Sequence, residues 1–335
     1  MAAMPSTPRP KRPRVIVTRQ LMPAVEARMA ELFEAQLSAQ DHPFSRDELL
    51  AAVADCDVLV PTVTDRIDAD ILAAAGERLK LIANFGAGVD HIDLAAARAR
   101  GILVSNTPGV FTEDTADMTM ALILSVPRRL AEGEKLMRSG GWTGWAPSAM
   151  LGHRVGGKLL GIVGMGRIGL AVARRARAFG LSIHYHNRRR LPTDLEAELG
   201  ASYHPSVDTL LRIADIVSLH CPHTAETQGL VNAARIAAMK PTAYLINTAR
   251  GEVIDENALI EALTHGRIAG AGLDVYSHEP AVDPRLLGLD NVVLLPHLGS
   301  ATVEGREASG ERVIANIRAW CDGHRPMDQV IEGWA

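Results

Sequence analysis

Cysteine is scarce in this chain of 335 residues, and the three that occur, Cys56, Cys221 and Cys321, are widely spaced and odd in number. They offer neither a disulfide framework nor zinc-ligand spacing, so a reducing cytoplasm is the expected compartment. Long apolar runs are also missing. No stretch approaches roughly 18 residues without a charge or a breaker, which argues against a membrane-spanning helix. Residues 1–14 are rich in Pro, Lys and Arg and lack the apolar core of a signal peptide, so they are expected to be a disordered tail. Neither sign of charge dominates. The net charge of −4 gives no ground for a nucleic-acid or membrane partner, and no internal repeat appears. The remaining composition, 47% hydrophobic and 22% charged, is that of an ordinary globular protein, and the length suggests two domains.

What is present is organised around residues 158–190, KLLGIVGMGRIGLAVARRARAFGLSIHYHNRRR. A short apolar strand (159–163) stops at Gly164-Met165-Gly166-Arg167-Ile168-Gly169. Ala, Val and Arg then alternate at helical spacing to Phe179, and a second strand (181–186) follows. Strand, glycine turn, helix and strand make half of a dinucleotide-binding fold. Gly164 allows the turn, Gly166 lets backbone N–H groups approach a pyrophosphate, and Gly169 lets the helix pack on the strand. The end of the second strand selects the nucleotide. An acidic residue there would hold a ribose 2′-hydroxyl, but this chain has Asn187 followed by Arg188, Arg189 and Arg190. A neutral amide beside guanidiniums suits a 2′-phosphate, so NADPH is the expected cofactor, with NADH usable if the arginines are only a solvated loop.

Around this centre, strands alternate with helices. Strands are expected at 15–17, 35–37, 58–60, 79–85 and 102–104, with helices at 24–33, 46–54, 69–75 and 94–99, which implies a parallel sheet covered on both faces. The turn Asn84-Phe85-Gly86-Ala87-Gly88-Val89-Asp90 follows the fourth strand and could present N–H groups to a carboxylate. A helical pattern over 113–140 is apolar nearly all round in its first half, and Pro127 should kink or split it. The loop 140–150 carries two of the four tryptophans. These suggest an interface or a pocket lid, or else packing on the chain's own core. Beyond Asn187, helices are expected at 207–213, 231–239 and 256–263. Strands are expected at 216–219, 243–246, 269–275 and 292–295, about six counting from Leu159. A last amphipathic helix, 302–321, should return to the first domain.

Three segments at strand ends carry groups suited to reducing a 2-keto acid: Asn247-Thr248-Ala249-Arg250-Gly251, Asp274-Val275-Tyr276-Ser277-His278-Glu279-Pro280 and Pro296-His297-Leu298-Gly299-Ser300. Arg250 can hold a carboxylate bidentately, Glu279 can orient a histidine, and His297 can act as a general acid. A carboxylate beside His297 would favour the imidazolium, the proton donor that reduction needs. His220, Cys221 and His223 have metal-ligand chemistry, but they end a strand that faces the nucleotide.

GIVGMGRIG, LINTARGEVIDENAL, AGAGLDVYSHEP and LLPHLGSAT, in that order and preceded by NFGAGVDHID, resemble the D-isomer-specific 2-hydroxyacid dehydrogenase family over nearly the whole chain from Val15. HYHNRRRLP and GGWTGWAP are most similar to its glyoxylate and hydroxypyruvate reductases. The resemblance implies an α/β fold of two doubly wound domains. A Rossmann dinucleotide-binding domain (108–299) would be inserted into a flavodoxin-like substrate domain (15–107 and 300–335), with hinges near Asn106 and Gly299. It implies Arg250, Glu279 and His297 as the catalytic set, and substrate binding by Ala87, Gly88, Trp145 and Arg250. The implied cofactor contacts are Gly164, Gly166, Arg167, Ile168, Asn187, Arg188, Arg189, Cys221, Pro222, Thr248, Ala249, Asp274, His297 and Gly299, with Asp274 meeting the nicotinamide carboxamide. Trp145 would reach the neighbouring subunit's site in a homodimer. Formate dehydrogenases share the framework but are similar to a Gln-Pro-His arrangement where this chain has Glu279 and His297. Dinucleotide-sensing corepressors of the superfamily lean on longer tails than the short basic leader here.

Overall fold

The computed structural model describes residues 12–331. It divides into two units, one running through Phe111 and resuming at Thr302, the other comprising Thr112–Ala301. In the first unit, among the described residues, strands β1 (Arg14–Val17), β2 (Glu34–Gln36), β3 (Val58–Val60), β4 (Leu81–Ala83) and β5 (Leu103–Ser105) form a parallel sheet in the order β2-β1-β3-β4-β5. That is a flavodoxin-like order. Alternate residues of each strand face opposite layers. Ile16, Leu59 and Ile82 pack with Leu49, Val53 and Ile71 on one side. Val15, Val17, Val58 and Leu81 pack on the other with Val25 and Met29 of helix Pro23–Leu32 and with Val313, Ile314, Ile317 and Trp320 of helix Val303–Cys321. The returning helix thus supplies part of this core, as its amphipathic pattern required. Helix Arg46–Asp55 starts at a capping box, Ser45 and Glu48 each satisfying the other's backbone N–H.

The expected tail ends earlier than Arg14. The backbone N–H of Arg14 donates to Asp57 Oδ2 at 2.8 Å, and its guanidinium pairs with Asp55. Arg14 therefore opens β1, and residues 1–11 lie outside the described part of the chain. A run of charge and proline concealed the first strand residue, which is fixed by partners far along the chain.

In the second unit, β6 (Leu159–Val163), β7 (Ser182–His186), β8 (Ser202–Tyr203), β9 (Ile216–Leu219), β10 (Tyr244–Asn247), β11 (Gly270–Leu273) and β12 (Val292–Leu294) form a parallel sheet in the order β12-β11-β10-β9-β6-β7-β8. The chain reverses its direction of growth between β6 and β9, the switch point where open α/β sheets bind ligands. Helix Thr112–Ser125 is packed tightly against this sheet, and a Cβ at Gly272 in β11 would meet Leu122 at 3.1 Å. It ends before Pro127, and a separate helix, Leu130–Arg138, begins after Arg129, whose φ of 55° lies in the left-handed region. The single pattern over 113–140 is therefore two helices. Strand β8 and helix Thr193–Leu199 are additions to the sequence reading. The first is two residues long, and the second buries an acid, Glu196, which breaks its apolar period.

Candidate active site

Within the second unit, the carboxyl ends of three adjacent strands deliver Arg250, Glu279 and His297. They follow β10, β11 and β12 respectively. His297 Nδ1 lies 2.8 Å from Glu279 Oε2, and the other oxygen of Glu279 accepts the N–H of Tyr276 at 3.0 Å. Burial alone would raise the Glu279 carboxyl, but the hydrogen bond and charge of His297, the Tyr276 N–H and the charge of Arg250 together hold it below the usual carboxylate range. Glu279 is therefore an anion facing the imidazole. The φ of His297 is 56°, a left-handed conformation that a histidine adopts only when its surroundings impose it.

Asp274 imposes it. Its carboxylate is buried, and Oδ1 and Oδ2 accept the N–H groups of Leu298 and Gly299 at 2.6 and 2.7 Å, while its carbonyl accepts the N–H of His297 at 3.0 Å. Desolvation pushes this carboxyl up, and the two N–H donors oppose the shift. Asp274 thus clamps the turn that carries His297, a role the sequence reading did not give it. Helix Thr112–Ser125 braces the same turns from behind: Thr115 Oγ1 donates to the Gly299 carbonyl at 3.0 Å, and the hydroxyls of Thr119 and Thr248 meet at 2.9 Å. The signal for these two threonines was available as hydroxyls four apart on the buried face of the helix.

Arg250 is set by Asn247, which is buried at the end of β10. Asn247 Nδ2 donates to the Arg250 carbonyl at 2.8 Å and Oδ1 accepts the Ala249 N–H at 3.0 Å. Gly251 then passes so close to the next strand's loop that a Cβ there would lie 2.0 Å from the carbonyl carbon of Tyr276. This approach brings the Arg250 turn against the segment leading to Glu279.

The nucleotide end fits a pyrophosphate. Gly164 has φ of 96°, and a Cβ there would lie 2.5 Å from the Cys221 nitrogen, so only glycine lets β6 turn beside the end of β9. A Cβ at Gly169 would likewise strike the Gly164 carbonyl, whereas at Gly166 it would meet nothing within 4 Å. Gly166 faces open space at the head of helix Arg167–Ala178, whose first N–H groups receive no side-chain cap. Arg167 is exposed beside it, and Ile168 is partly buried. Cys221 and Thr248 are buried at neighbouring strand ends, and burial pushes the Cys221 thiol up to about 11, leaving it a neutral wall. Pro222 and Ala249 adjoin them in the chain. His220 Nε2 is paired with Ser218 Oγ, and His223 Nε2 with Gln228.

After β7, Asn187 Nδ2 donates to the Arg189 carbonyl at 3.1 Å, and the guanidiniums of Arg188 and Arg189 are exposed. Arg190 corrects the sequence reading. It is bound to the buried Glu196 at 2.8 Å and lies over the Tyr203 ring, so it anchors the loop and is not a third free cation.

In the first unit, the turn after β4 leaves the N–H groups of Ala87 and Gly88 without a protein acceptor among the described residues. Trp145 is 82% exposed and Trp142 55%, so neither is packed into its own core.

These features define a hydride-transfer dehydrogenase acting on a hydroxy or keto acid. Residues 120–299 match the D-isomer specific 2-hydroxyacid dehydrogenase NAD binding domain, and the chain belongs to that family. Among its relatives, the glyoxylate reductase of Thermococcus litoralis is 47% identical over 324 residues, 95% of this chain and 97% of that one. That of Thermococcus onnurineus is 46% identical over 319 residues, 94% and 95% of the two chains. The structure of an NADPH-dependent glyoxylate/hydroxypyruvate reductase from Sinorhizobium meliloti, in complex with NADP and malonate, is 38% identical with a TM-score of 0.84, covering 96% of this chain and 97% of that one. The chain is thus an oxidoreductase that uses a nicotinamide dinucleotide.

Proposed function

We propose that the protein reduces small 2-keto acids, glyoxylate and hydroxypyruvate, to the 2-hydroxy acids, with NADPH preferred over NADH. The observation that carries this reading is the 2.8 Å contact between His297 Nδ1 and the ionised Glu279. With Nδ1 engaged, Nε2 is the end of the imidazole free to give a proton to the carbonyl oxygen. The nicotinamide, when bound, supplies the hydride. Arg250 holds the substrate carboxylate and polarises the carbonyl. In the first unit, the Ala87 and Gly88 N–H groups are donors suited to a substrate carboxylate. Asp274 keeps lone pairs for the nicotinamide carboxamide, since each of its oxygens accepts only one backbone N–H. A neutral amide in place of Glu279 would present no anion to the imidazole, which sets the formate-type arrangement apart from this one.

The NADPH preference rests on Asn187, Arg188 and Arg189, which offer an amide and two exposed cations where an acidic residue would repel a 2′-phosphate. Trp142, Trp145 and helix Leu130–Arg138, which buries none of its residues, support a homodimer in which Trp145 narrows the neighbouring site. Three cysteines without a disulfide fit the cytoplasm. The deciding measurement is the loss of reduced-nicotinamide absorbance with NADPH and NADH separately, against glyoxylate, hydroxypyruvate and phenylpyruvate. The expected result is fast oxidation of NADPH with the two small acids. Equal rates with NADH would remove the arginines from cofactor selection, and no reduction despite dinucleotide binding would favour a sensor.

A further inference from the structure

We infer that Asn84 and Asn106 are positioning residues that aim the Ala87 and Gly88 N–H groups, respectively, at the substrate carboxylate, an assignment that rests on the carboxylate reading above. In a trans peptide the N–H points opposite to the carbonyl of the preceding residue, so fixing a carbonyl also aims the following N–H. Asn84 is 1% exposed at the end of β4. Its Nδ2 donates to the Gly86 carbonyl at 3.0 Å and to the Gly88 carbonyl at 2.8 Å. The Thr107 N–H reinforces the first of these at 3.0 Å. With the Gly86 carbonyl drawn inward, the Ala87 N–H must face outward. Asn106 Nδ2 donates to the Ala87 carbonyl at 2.7 Å, which turns the Gly88 N–H outward in the same way.

The remaining atom of the Asn84 amide is also used. Its Oδ1 lies 3.0 Å from His91 Nε2, and because both Nδ2 hydrogens go to carbonyls, His91 must donate from Nε2. His91 thereby fixes which way the amide faces. Aspartate at 84 would turn acceptors toward the carbonyls, and alanine would release them. Either change leaves the Gly86 carbonyl to the Thr107 N–H alone and frees the Gly88 carbonyl, so the Ala87 N–H is no longer held in its direction.

The assignment is tested with two carbonyl substrates, glyoxylate and glycolaldehyde, the second carrying CH2OH where the first has its carboxylate. The wild-type protein should prefer glyoxylate. Asn84→Ala should raise the glyoxylate KM about tenfold, as expected for one lost hydrogen bond to a charged group. Its kcat, its kcat/KM for glycolaldehyde and its NADPH Kd from fluorescence titration should change by no more than about twofold. Asn106→Ala, at the surface, should shift the glyoxylate KM in the same direction. Parallel losses on both substrates would mean that Asn84 only supports the fold, and would overturn the assignment. If Asn84→Ala is insoluble, Asn106→Ala decides, and an unchanged glyoxylate KM overturns it. A wild-type protein without preference for glyoxylate would overturn the carboxylate reading itself, a failure visible before any variant is made.

Discussion

At the scale of single residues, the proposed proton donor is a histidine held in a left-handed backbone conformation. His297→Ala removes the proposed proton donor and should lower kcat roughly 10²- to 10⁴-fold with the NADPH Kd little changed. Steady-state rates beside a cofactor titration check this, and wild-type-like turnover would exclude His297 from the mechanism. The partner makes a stability prediction. The Glu279 carboxyl is depressed in the folded protein, so its contribution is fully present above its unfolded pKa, about 4.5, and is lost as the pH falls through the lower folded value. Urea midpoints of the wild type and Glu279→Gln, compared from roughly pH 6 to pH 3, should therefore converge on acidification. A gap that widens in acid would contradict the pairing. The placement of Arg250, Glu279 and His297 beyond strand ends was legible because each follows an apolar run in a motif of distinctive residues. The second role of Asp274 was not legible, because its partners are backbone N–H groups of Leu298 and Gly299, 24 and 25 positions away.

At the scale of elements, strand and helix positions followed from apolar periodicity wherever the core reads the pattern, as in 159–163 and 216–219. It failed where a polar group replaces an apolar one, as Glu196 does in helix Thr193–Leu199. It also failed where backbone packing matters more than side-chain type. Gly251 shows the second case. Its sequence context suggests a turn, but its tight constraint is the Tyr276 backbone. Gly251→Ala should force the two loops apart, costing roughly 3 kcal/mol or more. The expected Tm loss is several degrees, and kcat/KM should fall because Arg250 and Glu279 separate. Calorimetry and steady-state kinetics on the same preparation test both, and unchanged values would mean that the loops yield freely.

At the scale of the whole molecule, helix Leu130–Arg138 and its surroundings carry a group of exposed apolar side chains. Leu130, Met137, Trp142 and Leu151 are more than half exposed, and several of them border a cavity of about 600 Å³ lined by Arg129, Met137, Trp142 and Met150. A second copy of the chain would cover this apolar ground. Sedimentation should show a dimer at micromolar concentration, and Met137→Glu should shift it toward monomer. A wild-type monomer would remove the homodimer and Trp145's part in a neighbouring site. Two doubly wound sheets could be read from the alternation of elements, but how many strands the second sheet holds could not, because Ser202–Tyr203 acquires its strand character only by pairing with β7.

The helix Val303–Cys321 completes a core begun nearly three hundred residues earlier. During synthesis, Val15, Val58 and Leu81 leave the ribosome long before Val313, Ile317 and Trp320 exist to cover them. At ~5–20 residues per second the wait is on the order of tens of seconds. The inserted unit has all its strands in one continuous segment, so it can finish folding in that interval while the earlier sheet stands half-clad. Nascent chains stalled before Val303 should accordingly be held by chaperones through the face of β1, β3 and β4, and released when the last helix emerges.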